Sequence, residues 1–263
     1  MLVDINAYVG HWPFRQRIYN TCEERLERMN RFGVDVSVIS NLNGIFYKNP
    51  QSANEELHEE LMSTQSFAKR FIPFAVINPI YAAWRDHFET SISRLGMKGV
   101  RLYPKYHGYS LTDPACIELV KRARDAGLPV SLCLRMVDSR PSSWMDLERK
   151  KEWALKDVMP IIREVPDAKY FIVNVANGAL LPDDDLELLK SADVLIDTSG
   201  RNILNLGEMI KTYGGEKFAY GSHAPILDEV TGLLRIESLR DSEANETTKN
   251  LLRAGNARRA LGL

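Results

Sequence analysis

A single-domain α/β chain closed into a (β/α)8 barrel of the TIM type is the fold this sequence predicts, on three observations. Eight short β-rich runs alternate with longer amphipathic segments from one end to the other. The 263 residues match the length of one such barrel, about 250. No GxGxxG follows the first run, which disfavours the dinucleotide-binding form of the alternative, an open doubly wound sheet.

The strand-like runs are LVDINAY from Leu2, VDVSVIS from Val34, FIPFAVIN from Phe71 and KGVRLYP from Lys98. PVSLCLR from Pro129, KYFIVNV from Lys169, DVLIDTS from Asp193 and KFAYGS from Lys217 complete the set. Gly, Pro, Asn or Asp bounds each one, as turn chemistry requires. Between them, CEERLERMNRFG puts Leu26, Met29 and Phe32 on one face and stops at a glycine suited to a C-cap. NEELHEELMSTQSFAKR, AWRDHFETSISRLG, DPACIELVKRARDAG, EWALKDVMPIIREV, DDLELLKSA and ILNLGEMIKTYG read as helices too. A last helix is expected from Ala244 to Leu261. No linker or low-complexity tract divides the chain.

Lys and Arg number 34 against 35 Asp and Glu, a net charge of −1, which makes no electrostatic case for nucleic acid or an anionic membrane. The longest apolar run, FIPFAVINPIYAAW, contains Asn78 and two prolines and is shorter than the ~20 residues that span a bilayer. Cys22, Cys116 and Cys133 are odd in number and widely spaced, which fits a reducing compartment. The opening MLVDINAYVG enters a strand at once and has no signal-peptide pattern, so a cytoplasmic location is expected.

In a parallel barrel the reactive groups gather at the C-terminal strand ends. Those ends supply Asn6, Tyr8, His11 and Arg15, then Asn41 and Asn43, then Arg101, Tyr103, Lys105, Tyr106 and His107. They continue with Cys133, Arg135, Asn174, Asn177, Asp197, Ser199, Ser222 and His223. Period-two alternation predicts that Asp4, Asn6 and Tyr8 share one face of the first strand. Asp197 follows the apolar VLI and needs partners, a salt bridge to Arg101 or Arg135 being one arrangement. If Arg101 and Arg135 both point inward, they form a fork for a carboxylate or phosphate. His58 and His87 sit among charged residues of helical segments and read as surface groups.

The chain resembles the amidohydrolase-related proteins of the decarboxylase, hydratase and lactonase branch over nearly its whole length. The marks are VDINAYVG, MNRFGVDVSVIS, AVINP, GMKGVRLYP, AGLPV, KYFIVNVANG, VLIDTSG, FAYGSHAP and LLRAGNARRALGL, in that order. Within that branch it is similar to an uncharacterised subgroup, through GHWPFR (Gly10 to Arg15), YPKYHGY (Tyr103 to Tyr109) and GSHAP (Gly221 to Pro225).

The resemblance implies a (β/α)8 barrel and, in the best-known members, a divalent metal at the mouth. Those members hold it with a His-x-His pair, a His ending strand five and an Asp ending strand eight, with a further His ending strand six. Carried over, these positions fall on Asn6, Tyr8, Cys133, His223 and Asn174, none of which is the family residue. A catalytic divalent site wants about three strong donors, so no metal cofactor is expected. The alternative is zinc or another divalent metal in a rearranged site of Asp4, Cys133 and His223.

The leading expectation is a hydrolase or lyase acting without metal on a small carboxylated molecule. His223 serves as acid/base, oriented by Asp197 or Asp4. Arg101 and Arg135 hold the anion, while Asn6, Asn174 and Tyr8 donate hydrogen bonds to a developing oxyanion. His11, Tyr103, His107 and Cys133 line the same mouth. A barrel that binds a metabolite or partner without catalysis is the second reading. The resemblance also implies self-association, since relatives of this fold form homo-oligomers.

Overall fold

A computed structural model of the chain describes residues 1–14, 16, 18–136, 153–175, 180–199 and 205–263. Each of the eight β-rich runs forms a strand: β1 (Val3–Val9), β2 (Val36–Asn41), and β3 in two segments, Phe71–Pro73 and Ala75–Val76. They are followed by β4 (Val100–Leu102), β5 (Val130–Cys133), β6 (Tyr170–Val173), β7 (Val194–Asp197) and β8 (Phe218–Ala219). Every neighbouring pair is parallel.

The ladder is interrupted at Phe74, whose amide donates to the Ile39 carbonyl at 2.8 Å, so β3 links a three-stranded and a six-stranded stretch. Closure comes from the Ile5 amide to the Tyr220 carbonyl (3.0 Å) and the Tyr8 amide to the Ala224 carbonyl (2.8 Å). The His223 amide completes the seam by donating to the Asn6 carbonyl at 2.6 Å. The architecture is a closed (β/α)8 barrel.

Helices follow the strands: α1 (Cys22–Phe32), α2 (Pro50–Met62), α3 (Trp84–Ser93), α4 (Pro114–Asp125) and α5 (Met159–Glu164). Next come α6 (Asp183–Ser191), α7 (Leu206–Tyr213) and α8 (Glu229–Glu237). Local chemistry sets their ends. Thr21 and Glu24 form a reciprocal capping box on α1, which stops at Gly33 in the left-handed region (φ 67°). Asp113 caps α4 ahead of Pro114, and Asp228 caps α8. The last expected helix forms as Glu246–Asn250 and Asn256–Leu261 with a π turn, Leu251–Gly255, between them. None of the described helices is long and apolar enough to cross a membrane.

Alternation divides the apolar side chains between two layers. Val3, Ile5, Val38, Phe74, Phe171 and Leu195 fill the barrel, with Phe74 stacked on Phe171 at 5.8 Å between ring centroids. Ala7, Val9, Ile39, Val100, Leu102 and Ile172 face the helices.

One irregularity matters for the site. Between the pairs Asp4↔Ser37 and Ala7↔Ile39, β1 advances three residues while β2 advances two. This bulge shifts the phase of the strand. The expectation that Asp4, Asn6 and Tyr8 share one face is thereby corrected. Tyr8 joins the inner layer, whereas the Asp4 carboxylate lies 3.9 Å from Arg25 on the surrounding helix α1.

Candidate active site

His223 sits at the end of β8 with φ +56°, a left-handed conformation uncommon outside glycine. Its amide is tied to Asn6, and its ring is enclosed on both sides. Nδ1 lies 3.1 Å from Asn6 Nδ2 and 3.3 Å from the Tyr8 hydroxyl. Nε2 lies 3.2 Å from the Met136 carbonyl and 3.3 Å from Asn174 Nδ2. A carbonyl only accepts and an amide nitrogen only donates. With Met136 as the acceptor for Nε2–H, the neutral ring accepts at Nδ1, from Asn6 and from Tyr8; Asn174 Nδ2, which donates to the Arg135 carbonyl, is then a neighbour of Nε2 and not its hydrogen-bond partner. The Tyr8 ring meets His223 edge-on at 5.1 Å between centroids.

Asp197 ends β7 beneath this group. Its carboxylate accepts from Asn6 Nδ2 at 2.6 Å, from the Asn174 amide at 2.9 Å and from the Ser199 hydroxyl. Hydrogen-bond donors, rather than Arg101 or Arg135, satisfy it. Burial raises the Asp197 carboxyl above the usual carboxylate range, against those donors. Asn6 thus bridges Asp197 and His223, and the carboxylate acts on the ring only through that amide. Asn174 adopts φ +57°, which aims its amide N–H at Asp197.

Asp4 has other work. Its carboxylate accepts from the Ser222 hydroxyl (2.6 Å), the Ser222 amide (3.0 Å) and the Asn6 amide (2.9 Å). Burial raises its carboxyl, opposed by Arg25. The bonds fix the loop that carries His223, so the expected direct orientation of the imidazole by Asp4 is corrected to support of its backbone.

The arginine fork is corrected as well. Arg101 is fully buried, donates to the Ala7 and Ile5 carbonyls at 2.9 and 3.3 Å, and lies 4.7 Å from the Tyr8 ring centre. That geometry is a cation–π contact and a brace for β1 at its bulge. Arg135 stands past the end of β5, 6% exposed, and its carbonyl accepts from Cys133 Sγ (3.3 Å) and from Asn174 Nδ2.

Cys133 Sγ is 3.8 Å from the Tyr8 hydroxyl, and burial pushes its thiol up to about 12. Burial also drives the Tyr8 phenol well above its ordinary value. The buried Tyr103 phenol moves up for the same reason, opposed by Arg101. His107 stays outside the inner group. Its Nε2 lies 3.2 Å from the Gly44 carbonyl, and burial lowers its imidazole. His11 is exposed, and its backbone amide donates to Asn43 Oδ1 at 3.0 Å, so it orders the first loop. Asn41 likewise serves the loops, through Ala53, Glu56 and Asn43. Arg15 and Asn177 lie outside the described residues.

Ser222 and Ser199, which tie Asp4 and Asp197 to the mouth, were visible only as polar strand-end residues. Helix α8 had no reading at all, because Gly232 at its centre weakens the helical pattern.

A divalent metal does not suit this donor set. Asn6 and Asn174 offer neutral amides, Tyr8 and Cys133 are held protonated by burial, and His223 has both ring nitrogens engaged. The rearranged site does not assemble either, since the Asp4 carboxylate is bound to Ser222 and directed at Arg25. Among the described residues, no three His, Cys, Asp or Glu side chains are grouped to hold a metal ion.

No protein-family model and no curated protein matches the sequence. Solved structures do match in fold. A 2,6-dihydroxybenzoate decarboxylase from Rhizobium aligns over 99% of this chain and 98% of its own, at TM-score 0.73 and 15% identity. A dihydroxybenzoic acid decarboxylase from Polaromonas, with bound manganese and 2-nitroresorcinol, aligns over 100% and 97%, at 0.73 and 13%. A 4-oxalomesaconate hydratase from Rhodopseudomonas palustris aligns over 100% and 96%, at 0.68 and 14%. The chain has the (β/α)8 barrel fold of these decarboxylases and this hydratase.

Proposed function

We propose that the chain is an enzyme, a lyase or hydrolase, that transforms a small carboxylated molecule at the C-terminal mouth of its barrel without a divalent metal. The observation that carries this reading is the buried trio of Asn6, Tyr8 and His223, with the phenol 3.3 Å from Nδ1. With the Tyr8 hydroxyl donating to Nδ1, the neutral imidazole can take the phenol's proton while the phenol oxygen takes one from the substrate or its water. Asp197, acting through Asn6, keeps the ring in register. Arg135 supplies positive charge at the rim for the substrate carboxylate, and Arg101 is reserved for β1. The fold neighbours whose names specify carboxylated substrates support that class.

His223→Ala is expected to lower turnover of carboxylated aromatics and lactones at least a hundredfold, at the low end of general acid–base effects of about 10² to 10⁴. Substrate affinity should stay within a few fold. Equal activity of the variant and the parent would end the proposal.

The full engagement of both His223 nitrogens by protein groups favours a second reading, a barrel that binds its ligand and does no chemistry. In that case no substrate turns over, and His223→Ala affects only stability.

Metal analysis tests the donor argument separately. Protein purified without chelator or affinity metal is expected to contain well under one zinc, manganese or iron per chain, and zinc incubation should not change its activity. About one tightly held ion per chain, as a catalytic site holds, would overturn the metal-free chemistry.

A further inference from the structure

A concavity lies at the end of the barrel opposite His223, where the strands begin. Its volume is about 640 Å³, within the range of about 300–1,000 Å³ usual for small-molecule sites. The walls are apolar, with Leu61, Phe71, Leu95, Leu128 and Leu261 among them. The charged side chains lining it are all cationic, Arg94, Lys98, Lys169 and Arg259, with no Asp or Glu, and His58 and the terminal Leu263 line it as well.

In a chain of net charge −1, such a local excess is not a compositional accident of the whole surface. Several other surface cations are paired, as in Arg85 with Glu118 and Arg253 with Glu237. Arg94, Lys98 and Lys169 make no side-chain hydrogen bond or ion pair among the described residues, and Arg259 reaches only the Glu216 carbonyl, at 3.3 Å. Strand register brings two of the cations together. Lys98 precedes β4 and Lys169 precedes β6, with β5 between them, an offset of about 10 Å at the usual strand spacing. An anionic head between those lysines would leave its apolar tail against the leucine walls.

We propose that this N-terminal groove binds a single-chain amphipathic carboxylate, with Lys98 and Lys169 holding the head and Leu95, Leu128 and Leu261 enclosing the chain. The proposal is independent of the mouth chemistry, because the groove and His223 occupy opposite ends of the barrel.

Decanoate, kept below its micelle concentration, is the probe, with decanol as the uncharged control. Calorimetric titration of the full chain should give one saturable decanoate site, with decanol at least tenfold weaker. Lys98→Glu and Lys169→Glu should each weaken decanoate at least tenfold without moving the thermal midpoint, and Lys98→Met should weaken it less. His223→Ala should leave it unchanged. Absence of saturable binding, equal affinity for decanol, or indifference to both charge reversals would overturn the proposal. So would a dimer in sedimentation that Lys98→Glu dissociates, since a second copy would then own the groove.

Discussion

Arg25→Met is expected to lower the free energy of unfolding by about 3 kcal/mol or more, the usual result of removing one partner from a buried ion pair. Arg25 projects from α1 into a space with no solvent access and ion-pairs with Glu229 of α8, with the Asp4 carboxylate of β1 at 3.9 Å. One guanidinium thereby ties the first helix to the last strand–helix unit. Methionine fills a similar volume, so the loss reports charge rather than a cavity. Glu229 keeps Arg28, whose Nε donates to it at 3.0 Å, and Asp4 keeps its Ser222 and Asn6 donors. These remaining bonds hold the effect toward the lower end. Urea denaturation measures it, and Glu229→Gln combined with Arg25→Met should recover part of the loss. A change under about 1 kcal/mol would mean that Arg28 alone neutralises Glu229.

Asp197→Ala should cost about 3 kcal/mol, because three buried donors lose their acceptor at once and each orphan costs about 1–3 kcal/mol before water or rearrangement relieves it. Those donors are Asn6 Nδ2, Ser199 Oγ and the Asn174 amide. Freed from Asp197, Asn6 no longer holds His223, so activity should fall together with stability.

The same carboxyl carries a pH signature. Burial raises it, so the folded chain binds its proton more tightly than the unfolded chain does. Its contribution to stability is then largest near pH 4, falls as pH climbs to the raised folded value, and is flat above. Asp197→Asn removes that titration. The stability advantage of the parent over Asp197→Asn should grow on acidification from neutrality toward pH 4, read from denaturation midpoints. An advantage that shrinks over that interval would show a depressed, not a raised, carboxyl.

The barrel was legible in the sequence because each strand is a short β-rich run closed by turn residues, and those signals are local. The mouth was legible only in its membership. Asn6, Tyr8, Asn174, Asp197 and His223 do meet, yet their connections depend on the extra residue in β1, and nothing in VDINAYVG marks a bulge. Alternation alone put Asp4 with Asn6 and Tyr8, but Asp4 faces α1 ahead of the bulge and the bulge turns Tyr8 inward. Arg101 illustrates a different limit. An arginine at a strand end reads as an anion anchor, but two backbone carbonyls of β1 and a tyrosine face claim it. The N-terminal groove was invisible, since its cations come from separate loops and the final helix.

Helix α8 meets the His223 loop at Gly232, beside the bond from the Tyr220 hydroxyl to the Glu229 carbonyl. A Cβ on Gly232 would lie 2.2 Å from the Gly221 carbonyl oxygen, and one on Gly221 would lie 2.6 Å from Asp197 Oδ2. Helix, loop and carboxylate are therefore packed closely, with the Thr198 hydroxyl accepting from the Gly221 amide at the same junction. The outer ring of the barrel acts here as a gauge for its interior: a single methyl added at position 232, on a helix that holds none of the mouth residues, would push the loop bearing His223 inward.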